Sequence, residues 1–308
     1  MPVSRNHPDS DEWSRWLLNI RHGGDPTFDR TIRPELEAYA DRVLDGAELK
    51  TDMTLADIGT GEGLVAFRAI DRVGPSLHVV LTDISATMLR HAERLASERG
   101  VRQQCTFVEC AADELTGIPG TSVDVVTTRA VLAYVANKAV ALREFHRILK
   151  PGGRISLAEP IMQDDALAAC ALKRMIDERG AQSAGDPFLP LLHRWKAAQF
   201  PDTPEKIAAS PLVNFSERTL FESVRVSGFT QIHLELHIDQ RPSTIPSWSV
   251  FLETSPHPWA PPLSTILADR FSPEERQTFE KTMRPLVESG QALTTGRTAY
   301  LNAVKAAT

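Results

Sequence analysis

Asp57, Gly59, Gly61 and Asp83 are the residues of this chain whose types and spacing most directly suggest chemistry. The run Leu55-Ala56-Asp57-Ile58-Gly59-Thr60-Gly61-Glu62-Gly63-Leu64 reads as an apolar strand, a glycine turn and the start of a helix. Glycine in such a turn lets the backbone pass close beneath a bound molecule, because any side chain would occupy the ligand's volume. Taken alone, the loop fits a dinucleotide site or a tight turn that holds no ligand. A second apolar run, Val79-Val80-Leu81-Thr82-Asp83, ends in an acid about twenty residues further on, where a carboxylate can accept hydrogen bonds from both hydroxyls of a ribose. Asp57 and Glu62 sharpen the reading. Acids beside the loop repel a pyrophosphate and attract a ligand that carries an ammonium and a sulfonium.

These residues need a frame to hold them. From Met53 onward, short apolar runs alternate with helical patterns, the signature of βαβ units and a parallel sheet. Strands are expected at about 53–58, 77–82, 105–109, 123–128 and 154–159, with the clearest helices at about 85–99 and 137–149. Lys150-Pro151-Gly152-Gly153 stops the latter helix and turns the chain into the fifth strand. Ahead of the sheet, Trp13, Trp16, Leu17 and Ile20 fall on one helical face before Gly23-Gly24, and a second helix is expected from Pro34 to Gly46. Beyond Glu159, helical patterns at about 164–179, 187–200 and 216–227 precede an alternating run, Ile232 to Ile238, that reads as a strand. Six prolines from Pro242 to Pro262 make that stretch a loop-rich insertion, and Ser272-Pro273-Glu274-Glu275 opens a helix towards Glu288. The organisation expected is an N-terminal helical lid over 1–50, a ligand-binding core over 51–160, a helical substrate-side insertion over 161–228, and the last strands over 229–308 with an insertion at 240–295.

With 308 residues and 42% hydrophobic content, the chain can bury a core without disulfides or metal. A net charge of -6 argues against a nucleic-acid groove, so a small-molecule substrate and no nucleic acid are expected. Cys105, Cys110 and Cys170 lack the paired spacing of a zinc or redox site, and no metal is expected. The start, Met1 to Pro8, is polar, and no later run reaches spanning length; a cytoplasmic protein with no membrane partner is the expectation. The oligomeric state is left open, a homodimer included.

Four segments in order resemble the class I S-adenosylmethionine-dependent methyltransferases, particularly the branch that includes the ubiquinone and menaquinone enzymes. They are Asp57 to Gly63, Asp83, Asp124 to Leu132, and Arg143 to Gly153. The likeness covers about residues 40–160, with a weaker echo from Ser216 to Phe229 and the strand after it. It implies an α/β fold with a doubly wound, mostly parallel seven-stranded sheet, Rossmann-like, and S-adenosylmethionine as cofactor. By the resemblance, Asp57 sits near the methionine amino group, Gly59, Thr60 and Gly61 line the cofactor, and Asp83 with Ile84 holds the ribose side. Ala112 and Asp113 fall at the adenine pocket, and Arg129 completes the cofactor set. The chain departs from the family at Ala111, where an acid is common; Asp113 is the candidate substitute, with a helix cap as its other reading.

Methyl transfer is an in-line displacement, so the protein must align an acceptor and shield it from water. The C-terminal strand ends place Arg129, Tyr134 and Glu159 around the acceptor mouth, with Glu159 the first candidate for a base or a substrate-orienting carboxylate, and an acid paired with a neighbouring arginine as its other reading. His22 and His193 are the other catalytic candidates. Trp13, Trp16 and Trp195 suit an apolar lid or plain core packing, and Arg21 reaches the rim with them. The function expected is methylation at oxygen, nitrogen or carbon of a small, partly apolar metabolite, with secondary metabolism one setting it fits. Two alternatives stay open: the same fold binding the cofactor without methyl transfer, and a nicotinamide-dependent oxidoreductase.

Overall fold

Strands at the centre of a parallel sheet are covered on both faces and therefore read as near-continuous apolar runs. That is the state of β1 (Thr54–Ile58), β2 (His78–Asp83) and β4 (Val123–Arg129), most of whose residues are buried. The computed structural model describes residues 11–179 and 187–307. Its sheet has seven strands in the order β3-β2-β1-β4-β5-β7-β6, with β3 spanning Cys105–Glu109, β5 Leu149–Pro160, β6 Phe229–Pro242 and β7 Leu293–Lys305. The first five strands are parallel, and β7 runs antiparallel to both β5 and β6. The chain builds outward from β1 through β2 to β3, then returns to start β4 on the other side of β1. This reversal opens a crevice at the C-terminal ends of β1 and β4, where ligands of such sheets bind.

Two layers cover the sheet. On one face, α2 (Pro26–Ala47), α3 (Leu64–Val73) and α4 (Ala86–Glu98) bury Ala40, Val43, Phe67 and Ala92 against Leu55, Val79 and Leu81. On the other, α5 (Lys138–Ile148) and α9 (Glu217–Val226) bury Phe145, Leu220 and Val224 against Ile155, Leu157 and Leu301; Ala166 of α6 (Gln163–Arg179) and Ile207 of α8 (Pro204–Ala209) join that core. A third, separate cluster joins α7 (Phe188–Gln199) to three helices carried between β6 and β7: α10 (Trp248–Glu253), α11 (Leu263–Arg270) and α12 (Pro273–Glu288). The N-terminal segment forms one short turn, α1 (Glu12–Arg15), and continues as a π-helical turn over Trp16–Ile20. No helix among the described residues is long and apolar enough to cross a membrane.

The structure departs from expectation at several places, among them α8, α11 and the longer span of β6. The helix expected from Pro34 starts at Pro26, where the Asp25 carboxylate accepts from the N–H groups of Thr27 and Phe28, each at 2.8 Å, and the first-turn proline has no N–H to satisfy. Pro34 stands inside that helix. The fifth strand begins at Leu149 and not near 154, because Leu149 pairs with Val123 before a register shift that resumes at Arg154 and Val125. Within the proline-rich stretch, Ser247 caps a short helix, α10.

Candidate functional site

Beyond the C-terminal ends of β1 to β4 lies a cavity of about 650 Å³. Asp57, the penultimate residue of β1, is 2% exposed and accepts hydrogen bonds from Thr60 Oγ1 at 2.7 Å and Thr127 Oγ1 at 2.8 Å. Burial pushes its carboxyl up to about 6, against the two hydroxyl bonds that favour the charged form. The loop after it is shaped for close approach. Gly59 has φ +64°, and a Cβ there would stand 2.5 Å from Val131 Cγ2. Gly61 has φ +54°, and its N–H donates to Asp83 Oδ2 at 2.9 Å. The other oxygen of Asp83 accepts from Ser85 N–H at 2.9 Å, so this acid ties the ends of β1 and β2 together at the cavity edge; burial raises its pKa. Glu62 is on the wall, but its charge is committed to Arg33 at 2.6 Å.

Ile84, 58% exposed, and Ala112 with Asp113 also line the cavity. Residues 111–120 form turns without a helix, which removes the helix-cap reading of Asp113. A glycine cradle, a ribose-side acid and a buried acid beside the loop together fit a nucleoside that carries positive charge.

A further part of the cavity wall is built by the turn after β4. Ala130 takes a left-handed φ of +59°, uncommon without glycine, and Arg129, Val131 and Tyr134 face the cavity around it. Glu159 holds this turn. Its carboxylate accepts from Thr128 Oγ1 at 2.6 Å, Val131 N–H at 3.0 Å and Ala133 N–H at 3.3 Å, while Ala130 N–H donates to Ala158 O at 2.8 Å. Fully buried and off the cavity wall, Glu159 is not the base that its strand-end position suggested; the strand end brings it to the back of the turn instead.

Two further candidates lie elsewhere. His193 pairs with Asp202 at 3.2 Å, and Trp195 is packed edge-on against Phe251 and Phe279 in the third cluster, so neither reaches the cavity. The structure does bring Trp13, Trp16, Arg21 and His22 to the cavity wall. Trp13, Tyr134 and Trp259 form a triangle of edge-to-face rings with centroids 5.0, 5.5 and 6.1 Å apart. His22 Nδ1 lies 2.6 Å from Asp29 Oδ1. Burial first, and Arg21 beside it second, lower the His22 pKa below the ordinary value.

Asp29 and Trp259 were missed from sequence. A helix start at Asp25-Pro26 would have put Asp29 in the first turn, near His22. Trp259 had a weaker signal, a large aromatic inside a proline-rich loop.

Residues 49–192 match a family described as a methyltransferase domain. The nocamycin O-methyltransferase of Saccharothrix syringae is 28% identical over 216 residues, 69% of this chain and 71% of its own length. The tRNA 5-carboxymethoxyuridine methyltransferase of Escherichia coli is 36% identical over 118 residues, and the ubiquinone/menaquinone biosynthesis C-methyltransferase of Cellvibrio japonicus 33% over 116. Each of these two matches covers 38% of this chain, and they span only 43% and 46% of the relatives. Among solved structures, the 4+2 cyclase SpnF superposes with a TM-score of 0.51 at 20% identity, over 88% of this chain and 82% of that one, a likeness of fold alone. Residues 49–192, which hold the glycine cradle, Asp83 and the core of the sheet, are thus a methyltransferase domain similar to the class I S-adenosylmethionine-dependent methyltransferases, the ubiquinone and menaquinone enzymes among them.

Proposed function

We propose that this chain transfers the methyl of S-adenosylmethionine to a hydroxyl oxygen of a small, partly apolar metabolite. The observation that carries the reading is the pair His22–Asp29 on the wall of the cavity that the glycine loop, Trp13 and Tyr134 also line. When bound, S-adenosylmethionine supplies a methyl group made electrophilic by its sulfonium. Asp57, Gly59, Thr60, Gly61, Asp83, Ile84, Ala112, Asp113 and Arg129 are the residues that would hold it.

His22 is the only imidazole among the described residues of the cavity wall. With Nδ1–H donating to Asp29, a tautomer assigned from this hydrogen bond, Nε2 is left as an acceptor. The lowered pKa keeps the ring neutral near pH 7, the form that takes a proton from an acceptor hydroxyl. Tyr134, pushed up to about 12 by burial, stays protonated and suits orientation more than proton removal. Trp13 and Tyr134 present apolar surface to the acceptor, and Leu17, 3.7 Å from where a Gly61 Cβ would sit, brings the N-terminal segment over the cofactor loop to exclude water.

The test is S-adenosylhomocysteine formation with extracted small molecules, with the product analysed for a methyl ether. Turnover should fall along an acidic limb that lies below the ordinary imidazole range, since burial and Arg21 lower the His22 pKa. His22→Asn should lower turnover by about 100-fold or more and abolish that limb. A variant with wild-type turnover, or a product methylated on nitrogen or carbon, overturns the reading. Cofactor bound with no S-adenosylhomocysteine formed favours the non-transferring alternative.

A further inference from the structure

Arg21 and Arg129 line the cavity, yet among the described residues neither guanidinium makes an ion pair or a hydrogen bond. Their neighbours on the same wall are occupied: Arg30 donates to Thr27, and Arg33 is bound to Glu37 and Glu62. Two guanidiniums without a direct ion pair in one cavity are costly, because they repel each other while Asp57, Glu62 and Asp29 offset their charge only from a distance. Burial, followed by the charge of Arg129, pushes Arg21 down to about 10. Its stem is nonetheless placed, with the guanidinium 5.5 Å from the centre of the Trp16 ring.

S-adenosylmethionine has one carboxylate and so answers one arginine. Arg129 ends β4 and has Asp57 and Glu62 as its charged neighbours, on the cofactor side. Arg21 immediately precedes His22 and feels Tyr134 ahead of Glu62 and Asp29, whereas Arg129 feels Glu62 and Asp57 ahead of Tyr134; Arg21 is thus the arginine nearer His22 and Tyr134. With Arg129 assigned to the cofactor, the planar fork of Arg21 is left for an anion that the acceptor brings, and a carboxylate fits that fork with two parallel hydrogen bonds.

We propose that Arg21 binds a carboxylate of the acceptor, so that the substrate class is a small hydroxy acid with an apolar body. Its carboxylate docks on Arg21, its body lies against Trp13 and Tyr134 with Trp259 behind them, and its hydroxyl is held at His22. This rests on the O-methylation reading. The carboxylate is an anchor and takes no methyl. In the transfer the hydroxyl proton passes to His22, the oxygen forms the new bond to the methyl carbon, and the carbon–sulfur bond breaks with its electron pair staying on sulfur.

The probes are para-hydroxybenzoate and para-hydroxybenzamide, which share a shape and differ in charge. Binding of each to the full chain, with and without S-adenosylhomocysteine, is measured by ligand-observed NMR. The acid should bind about tenfold or more tightly than the amide, Arg21→Gln should erase the difference, and Arg21→Lys should keep part of it. Equal binding of acid and amide to the wild type, or an undiminished preference in a folded Arg21→Gln protein, overturns the proposal. His22→Asn separates it from the reading beneath: a preserved preference there, with no methyl ether formed by the wild type, sinks O-methylation and leaves the anchor standing. Should S-adenosylhomocysteine fail to bind, the free protein still decides the role of Arg21.

Discussion

The indole N–H of Trp16 donates to the carbonyl of Ser255 at 3.2 Å, joining residues 239 positions apart. Both are buried, and the contact continues inward: Ser255 Oγ donates to His257 O at 2.9 Å, and His257 Nε2 lies 2.7 Å from Gln199 O. Gly23, with φ +64°, backs onto the carbonyl of Val250 so closely that a Cβ would stand 2.9 Å away. The Gly23-Gly24 pair is therefore a packed turn, and the N-terminal segment is fastened to the insertion between β6 and β7. Deleting residues 1–24 should leave the sheet folded, since it begins at Thr54, with cofactor affinity reduced only modestly. Methyl transfer should fall about 100-fold or more, as water enters and alignment is lost. Thermal unfolding and S-adenosylhomocysteine formation check this; a folded truncation with wild-type turnover sinks the lid, and one that does not fold makes these tryptophans core.

Glu159→Gln tests the strut behind the Ala130 turn. The amide keeps one acceptor oxygen but turns its NH₂ towards the hydroxyl or the two N–H groups that the carboxylate now satisfies. A loss of about 2–3 kcal/mol of stability is expected, with cofactor affinity and turnover falling together. Denaturant unfolding beside calorimetry with S-adenosylhomocysteine reads both. Lost turnover with intact affinity and stability would restore Glu159 as the base.

Asp83→Ala removes the acceptor for Gly61 and Ser85 as well as the acid facing the ribose side of the cavity. S-adenosylhomocysteine should bind about tenfold or more weakly, with the circular dichroism spectrum retained. Unchanged affinity by calorimetry would take Asp83 out of the cofactor site.

Asp57→Asn separates stability from binding. In the folded chain this carboxyl is pushed up to about 6 from an ordinary 3.8, so between those values the folded state binds more protons than the unfolded one. Its contribution to stability therefore falls as pH rises from about 4 to 6, and above about 6 the whole penalty is present. The asparagine variant, which cannot ionise, should be more stable than the wild type at pH 7.5 by on the order of 1–3 kcal/mol, an advantage that vanishes near pH 4. It should bind the cofactor poorly. Melting temperatures across pH decide it, and a variant less stable at pH 7.5 refutes the sign.

The first strands were readable because the sheet centre leaves few choices. β1, β2, β3 and β4 begin and end within a residue or so of expectation, each an apolar run closed by a glycine, an acid or an arginine. The shared cavity wall was legible for the same reason, since the strand ends bring Asp57, Asp83 and Arg129 to one crevice whatever the rest of the chain does. Side-chain partners far apart in sequence were not. Helical spacing puts Trp16 and Trp195 on apolar faces alike, and only the tertiary packing sends one to the cavity and the other against Phe279. Glu159 shows the limit of reasoning from strand ends: the position was right to a residue, while the direction of its carboxylate depends on a turn whose conformation no periodicity reveals.

Pro242 and Leu293 face each other as the last pair of the β6–β7 ladder, and just beyond them Ser243 N–H donates to Ala292 O at 2.6 Å. Everything between, three helices and Trp259, thus leaves and re-enters the fold through one doorway of two adjacent strands. A replacement cassette would keep the β5–β7 ladder intact but would have to supply new partners for Trp16, Gly23 and Trp195. A short hairpin turn in its place would yield a minimal cofactor-binding scaffold with an open acceptor side, onto which loops for other acceptors can be grafted.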